Sequence, residues 1–360
     1  MAKPNSEELN LILNAYRNTI NDTLQLFERS TSPTQDKLSW NDVLEMSDHL
    51  SKQATIVGML WIGESPNAEA LKETMESYFN ALQGFLLHCH GSMVGAGPTL
   101  SSSRQASVKQ IVDSSFRLLQ GSVSLYGGSY EKDKKPSIPQ LTGALWETCS
   151  NLKKVPSTNI KAIGRAMRQV AVSVKDVLRE MKEVKPACDS PDHDASADDE
   201  DEELGNDLSP QELAVAKKVA YIVSETLMMI KELIGVITNT IKLENPEDNG
   251  GFVDLLEKLL KSCQGIGVEI DELGACVYPP QELSLMKQTV ERIRGNVGEI
   301  VAHILSFKNF SLIEAFYGTC RRLQSLIKYK IEPELDIRIG DEVVSDKQND
   351  TPLLEIFEFF

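Results

Sequence analysis

Few side chains in this 360-residue sequence combine a reactive type with a reactive spacing. His88, Cys89 and His90 are consecutive metal-ligand types. On a helix, however, positions i and i+2 point to different faces, so the trio reads as a partly buried helix end. The carboxylates between Asp189 and Asp207 are the oxygen ligands that calcium takes, without the D-x-[DN]-x-[DN]-G-x₅-E spacing of an EF-hand. Gly95-Ala96-Gly97 and Gly127-Gly128 have no strand before them and fail as phosphate loops. There is no G-x-S-x-G, no G-x-x-x-x-G-K-[ST], and no cysteine with an evident histidine partner. Trp40, Trp61 and Trp146 fit core anchors better than ligand cages. The expectation is no catalytic residue, no metal site and no cofactor. The protein reads as a non-enzyme.

Three serines have kinase-like surroundings. Ser190-Pro191 and Ser209-Pro210 suit proline-directed kinases, and Ser196, followed by Ala-Asp-Asp-Glu, suits an acid-directed one. Each phosphate would add about −1.5 to −2 charges. Ser209 also reads as the N-cap of a helix with Pro210 at its first position. A phosphate there would meet the positive helix end.

The elements that carry these residues are helical nearly throughout. Phe252, Leu256, Leu259, Cys263, Ile266, Ile270, Leu273 and Val277 recur at steps of four and three. After Tyr278, Pro279 and Pro280 the pattern resumes with Leu283, Met286, Val290, Ile293, Val297, Ile300 and Ile304. These are two amphipathic helices with a tight corner between them, hence antiparallel neighbours. The first half has the same texture, with helices at 9–27, 67–94, 103–126, 138–153 and 158–183, and a capping-box pattern in Ser39-Trp40-Asn41-Asp42. The single β-like stretch is "DIRIGDEVV" in the tail, too short to set the class. With 6% aromatic residues, composition favours helix-on-helix packing.

Charge divides the chain. Ten of the acidic residues behind the net charge of −16 fall between Asp189 and Asp207, and no Lys or Arg occurs between Lys185 and Lys217. Such a run buries too little apolar surface to offset ordering entropy. The expected organisation is an all-α fold of two bundles. Residues 5–185 and 209–331 form the bundles, joined by a disordered acidic linker at 186–208 and followed by an irregular tail at 332–360. The six widely spaced cysteines are expected to be reduced thiols, as in the cytosol or nucleus. The opening MAKPNSEELN has no signal-peptide pattern, and no stretch reads as a membrane span.

Leu213, Ala216, Ala220, Val223, Leu227, Ile230, Ile234, Ile237 and Ile241 make an a/d repeat over four heptads. It is either a dimerising zipper or the seam of an intramolecular bundle. Val219 and Leu233 widen the stripe toward the bundle geometry. No basic helix precedes it, and the acidic run before it would be repelled by phosphate backbones, so direct nucleic-acid binding is not expected.

The order of acidic linker, long apolar helix, "DELGACVYPP" (with Tyr278, Pro279 and Pro280) and a following amphipathic helix resembles the cyclin-D-binding protein family. That family is also described as helix-loop-helix and leucine-zipper proteins lacking a basic region. "LWETCSNLKKVPSTN" (Trp146, Cys149, Pro156, Asn159), "VKDVLREM" (Lys175, Asp176, Met181) and "TLSSSRQASVKQIVD" are similar to other family stretches. The resemblance covers roughly residues 70–330 and stops before "TPLLEIFEFF". It implies a two-part helical protein of the vinculin and α-catenin class. It also implies a non-enzymatic negative regulator of the cell cycle and transcription, in cytoplasm and nucleus, whose partners are D-type cyclin and helix-loop-helix transcription factors. A helical scaffold or adaptor of the cytoskeletal or adhesion type is the alternative.

Overall fold

A computed structural model describes residues 6–25, 38–128, 136–184, 208–244, 250–306 and 310–349. The described residues are overwhelmingly helical and form no strand, so the fold is all-α. The expected linker lies outside them except for Leu208, as do Ser190 and Ser196. The chain divides into two compact units, Met1–Ala162 and Ile163–Phe360.

The first unit contains α1 (Ser6–Gln25), α2 (Trp40–Met59), α3 (Ala68–Ser92), α4 (Pro98–Tyr126) and α5 (Ile138–Leu152). α2 packs between α3 and α5, while α4 covers α5. Local sequence sets the helix starts. Asp42 N–H donates to Ser39 Oγ at 3.2 Å and Ser39 N–H to Asp42 Oδ2 at 3.0 Å, the reciprocal capping box. Pro98 occupies the first turn of α4, where its missing donor is not needed.

Leu50, Val57, Leu71, Met75, Phe85, Leu86, Ile111 and Leu118 fill the core. Several buried polar groups there are hydrogen-bonded, although the Trp40 indole nitrogen and the Ser122 hydroxyl have no hydrogen-bond partner among the described residues. Tyr78 donates to Ser115 Oγ at 2.8 Å. The buried guanidinium of Arg104 donates to Ser92 O at 2.6 Å and Ser157 O at 3.0 Å, and lies 4.3 Å from the Trp40 ring centroid.

The second unit contains most of α6 (Asn159–Glu183), then α7 (Pro210–Glu244), α8 (Gly250–Cys276), α9 (Leu283–Ile304), α10 (Phe310–Leu326) and α11 (Glu332–Asn349). One π-helical turn, Ile327–Ile331, joins the last two. α8 and α9 fold back on each other across the Pro279-Pro280 corner, and both apolar series expected from the sequence are buried except for the half-buried Phe252. α10 rests on α7 and α9.

Two features depart from the sequence reading. The first unit ends at Ala162, earlier than the expected 185, and most of α6 belongs with α8. Glycine explains the fit. A Cβ on Gly274 would lie 2.7 Å from Val177 Cγ1, too close without a shift, and one on Gly267 would lie a tight 3.3 Å from Val170 Cγ1, so glycine lets these helices meet closely.

The described part of the tail, Glu332–Asn349, is helical rather than irregular, and 350–360 lie outside the described residues. Ile327, Ile331 and Leu335, spaced by four, turn one buried side inward. Glu332 pairs with Arg294 of α9 at 2.9 Å, Asp336 with Lys287 of α9, and Glu334 with Lys218 of α7. The β-like alternation of "DIRIGDEVV" is overridden by these contacts. Ile337 is left 66% exposed.

Candidate interaction surface

α7 begins with the capping arrangement that its sequence announces. Glu212 N–H donates to Ser209 Oγ at 3.2 Å, and Ser209 N–H donates to Glu212 Oε2 at 2.9 Å. The corner before α9 is keyed to this turn. Gln281 Nε2 donates to Glu212 O at 3.1 Å and to Val277 O at 2.9 Å. Arg338 of α11 donates to Gln211 O at 3.4 Å. Between them lies a cleft of about 850 Å³ lined by Ser209, Glu212, Pro280, Gln281, Glu334 and Arg338, among others. Three segments far apart in sequence therefore meet at one mouth. Ser209 and Pro280 both line it, while Tyr278 is half-buried at the corner and Pro279 is exposed.

The heptad stripe of α7 faces the interior of its own chain. Ala216, Ala220, Val223, Leu227, Ile230 and Ile237 are buried; Leu213, Ile234 and Ile241 are half-buried. Val219, Ile222, Met229 and Leu233, which lie beside that stripe, are as fully buried as Val223 and Ile230 on it. This is the broad apolar face of a bundle helix rather than a two-stranded seam. The outer face exposes Tyr221 at 53% and Met228 at 51%, seven residues apart.

Other singled-out residues lie elsewhere. Trp146, expected as a core anchor, is exposed on α5. Its indole N–H donates to Ser51 O at 3.3 Å and Thr55 Oγ1 at 3.2 Å, so it braces α2 from outside. The amphipathic ring meets water on one side and α2 on the other. Lys175 is exposed and Asp176 half-buried on α6, and Asp176 pairs with Arg179 at 3.2 Å. Asn159, the first residue of α6, holds the loop between α3 and α4: its Oδ1 accepts from Gly97 N–H at 2.7 Å and its Nδ2 donates to Gly95 O at 3.0 Å.

The thiols are positioned for packing. Cys89, Cys149, Cys263, Cys276 and Cys320 are free and buried. Burial pushes the Cys263 and Cys320 thiols up to about 12, leaving them protonated and unreactive at neutral pH. Cys89 is buried between the half-buried His88 and His90, and among the described residues no group of three metal-ligand side chains converges. No helix among the described residues is long and apolar enough to cross a membrane.

The paired architecture has a counterpart among known families. The model described as Grap2 and cyclin-D-interacting, N-terminal, matches residues 42–187, and its C-terminal companion matches 192–302. The chain belongs to the Grap2 and cyclin-D-interacting family. A relative within reach is the Cyclin-D1-binding protein 1 homolog of Xenopus laevis, 20% identical over 240 residues, which is 66% of this chain and 70% of that protein. The two family matches meet between 187 and 192, inside the acidic stretch. α10, the π turn and α11 lie beyond the second match.

The corner and the cap, two of the three parts of the cleft, thus fall within the family region, and α11 is added to it. Sequence reasoning missed α11 because the buried side it shares with the preceding π turn is three apolar residues long, two in the turn and Leu335 in α11 itself. The helical i, i+4 spacing of Ile327, Ile331 and Leu335 was the available signal.

Proposed function

We propose that this chain is a non-enzymatic, partner-binding regulator that engages a D-type cyclin and through it restrains cell-cycle progression or transcription. Membership in the Grap2 and cyclin-D-interacting family carries this reading, with the cyclin-D1-binding relative in support. Helix-loop-helix transcription factors are the second class of partner, with cytoplasm and nucleus as the places of action. The burial of α7 constrains how such a partner binds. Pairing through Ala220, Leu227 and Ile230 would require opening the second unit, because those side chains already pack within the chain. The outer line through Tyr221 and Met228 is accessible without that cost.

The test is direct binding of the purified full chain to immobilised D-type cyclin, with an A-type cyclin as control, followed by Tyr221→Ala and Met228→Ala. Selective retention of the D-type cyclin supports the reading. Equal retention of both cyclins, or of neither, overturns it. Undiminished helix-loop-helix binding by both variants would refute the assignment of that partner to α7's outer face.

A further inference from the structure

The exposed face of α6 carries one sign of charge along a single line. Arg165, Arg168, Val172, Lys175, Arg179 and Lys182 follow one another at steps of three and four, and all are exposed. At 1.5 Å per residue the line runs about 26 Å. It belongs to a chain with a net charge of −16. Four cations elsewhere in the same unit are tied across helices: Lys218 to Glu334, Lys287 to Asp336, Arg292 to Glu269 and Glu272, and Arg294 to Glu332. On α6, Arg168 donates within its own helix to Gly164 O at 3.0 Å, and Arg179 pairs with Asp176 one turn away. Among the described residues no ion pair ties Lys175 or Lys182 to another helix.

Like charges at i, i+3 and i, i+4 repel, so Arg165–Arg168, Lys175–Arg179 and Arg179–Lys182 weaken the helix that holds them. A stabilising surface would alternate signs, as Lys287–Glu291 and Glu334–Arg338 do. The opposite side of α6 is fixed by the glycine approach to α8, so the line faces outward on a rigid support. Val172, 50% exposed at its middle, gives it a small apolar centre.

We propose that this face of α6 is a docking surface for an acidic amphipathic segment of a partner protein. Such a segment would place an apolar side chain against Val172 and carboxylates on both sides of it. Discrete carboxylates fit better than a nucleic acid. Duplex phosphates present a charge about every 1.7 Å, and Asp176, Glu180 and Glu183 stand beside the line and would repel so dense an array. A membrane surface is disfavoured because Val172 alone among the large apolar side chains of α6 is exposed. The inference does not depend on cyclin binding.

The probe is a fluorescein-labelled 21-residue synthetic peptide with glutamates at helical spacing and one central leucine. It is titrated with the full chain and followed by anisotropy at low and moderate salt. The wild-type chain is expected to bind with marked salt dependence. Binding should weaken by about tenfold or more in Arg168→Glu/Lys175→Glu, because reversal turns attraction into repulsion. The milder Arg168→Gln/Lys175→Gln should fall between, and Lys258→Glu/Lys261→Glu on α8 should match wild type. Circular dichroism verifies that each variant is folded. Equal binding by wild type and the α6 variants, or no binding by wild type, overturns the proposal. So does tighter binding of a 21-nucleotide single-stranded DNA or of phosphatidylserine vesicles than of the peptide.

Discussion

Replacing Leu227 with Asp separates a bundle seam from a dimerising zipper. Leu227 is 5% exposed in the single chain, so its side chain is buried without any second copy. Truncating such a leucine to alanine costs about 2–5 kcal/mol through lost transfer energy and a residual cavity. A carboxylate at the same place adds several kcal/mol more, since the nearby α7 side chains Val223, Ile230 and Leu233 are apolar. The sum approaches the roughly 5–15 kcal/mol that holds a whole domain together. The second unit of Leu227→Asp is therefore expected to melt at or near room temperature.

Leu227→Ala provides the graded version. For a unit of this size each kcal/mol shifts Tm by about 2–4 °C, so the drop should be roughly 4–20 °C. Thermal melting by circular dichroism, run beside sedimentation velocity, reads both outcomes. A Leu227→Asp chain with wild-type Tm that has only lost self-association would refute the reasoning, because the stripe would then belong to an interface between chains.

Ser209→Ala removes the hydroxyl that accepts from Glu212 N–H; it should cost about 1 kcal/mol, with faster amide exchange confined to residues 211–216. Phosphorylation of Ser209 is expected to slow that exchange through the helix dipole, and acceleration would show the capping argument to be wrong. Stability should fall as pH rises from about 9 toward 12, because Cys263 and Cys320 ionise first in the unfolded chain. The slope is about 1.4 kcal/mol per pH unit per thiol, and Cys263→Ala should flatten it in alkaline urea titrations. On α11, Leu335→Ala should destabilise more than Glu332→Gln in denaturant melts. The buried leucine is worth about 2–5 kcal/mol, whereas the ion pair between the half-buried Arg294 and Glu332, discounted for solvent screening, gives about 1 kcal/mol.

Periodicity made most of the helices readable, because each buries one stripe and repeats it for several turns. The series from Leu256 to Val277 and from Leu283 to Ile304 needed no tertiary knowledge. Caps were equally local: Ser39 with Asp42, and Ser209 with Glu212, are pairs three residues apart in sequence. The cleft was not readable, since Ser209, Gln281 and Arg338 come together through contacts spanning up to 127 residues.

What the sequence alone determined was the helical class and the family resemblance, both carried by composition or short-range pattern. Tertiary structure decided three further matters. It took α6 into the second unit, because Gly267 and Gly274 admit Val170 and Val177 only at the distance that α8 provides. It turned the tail into α11, because Glu332, Glu334 and Asp336 meet cations on α9 and α7 that no local pattern reveals. It faced the heptads of α7 inward, because an apolar stripe specifies that it must be covered and the folded chain supplies the cover.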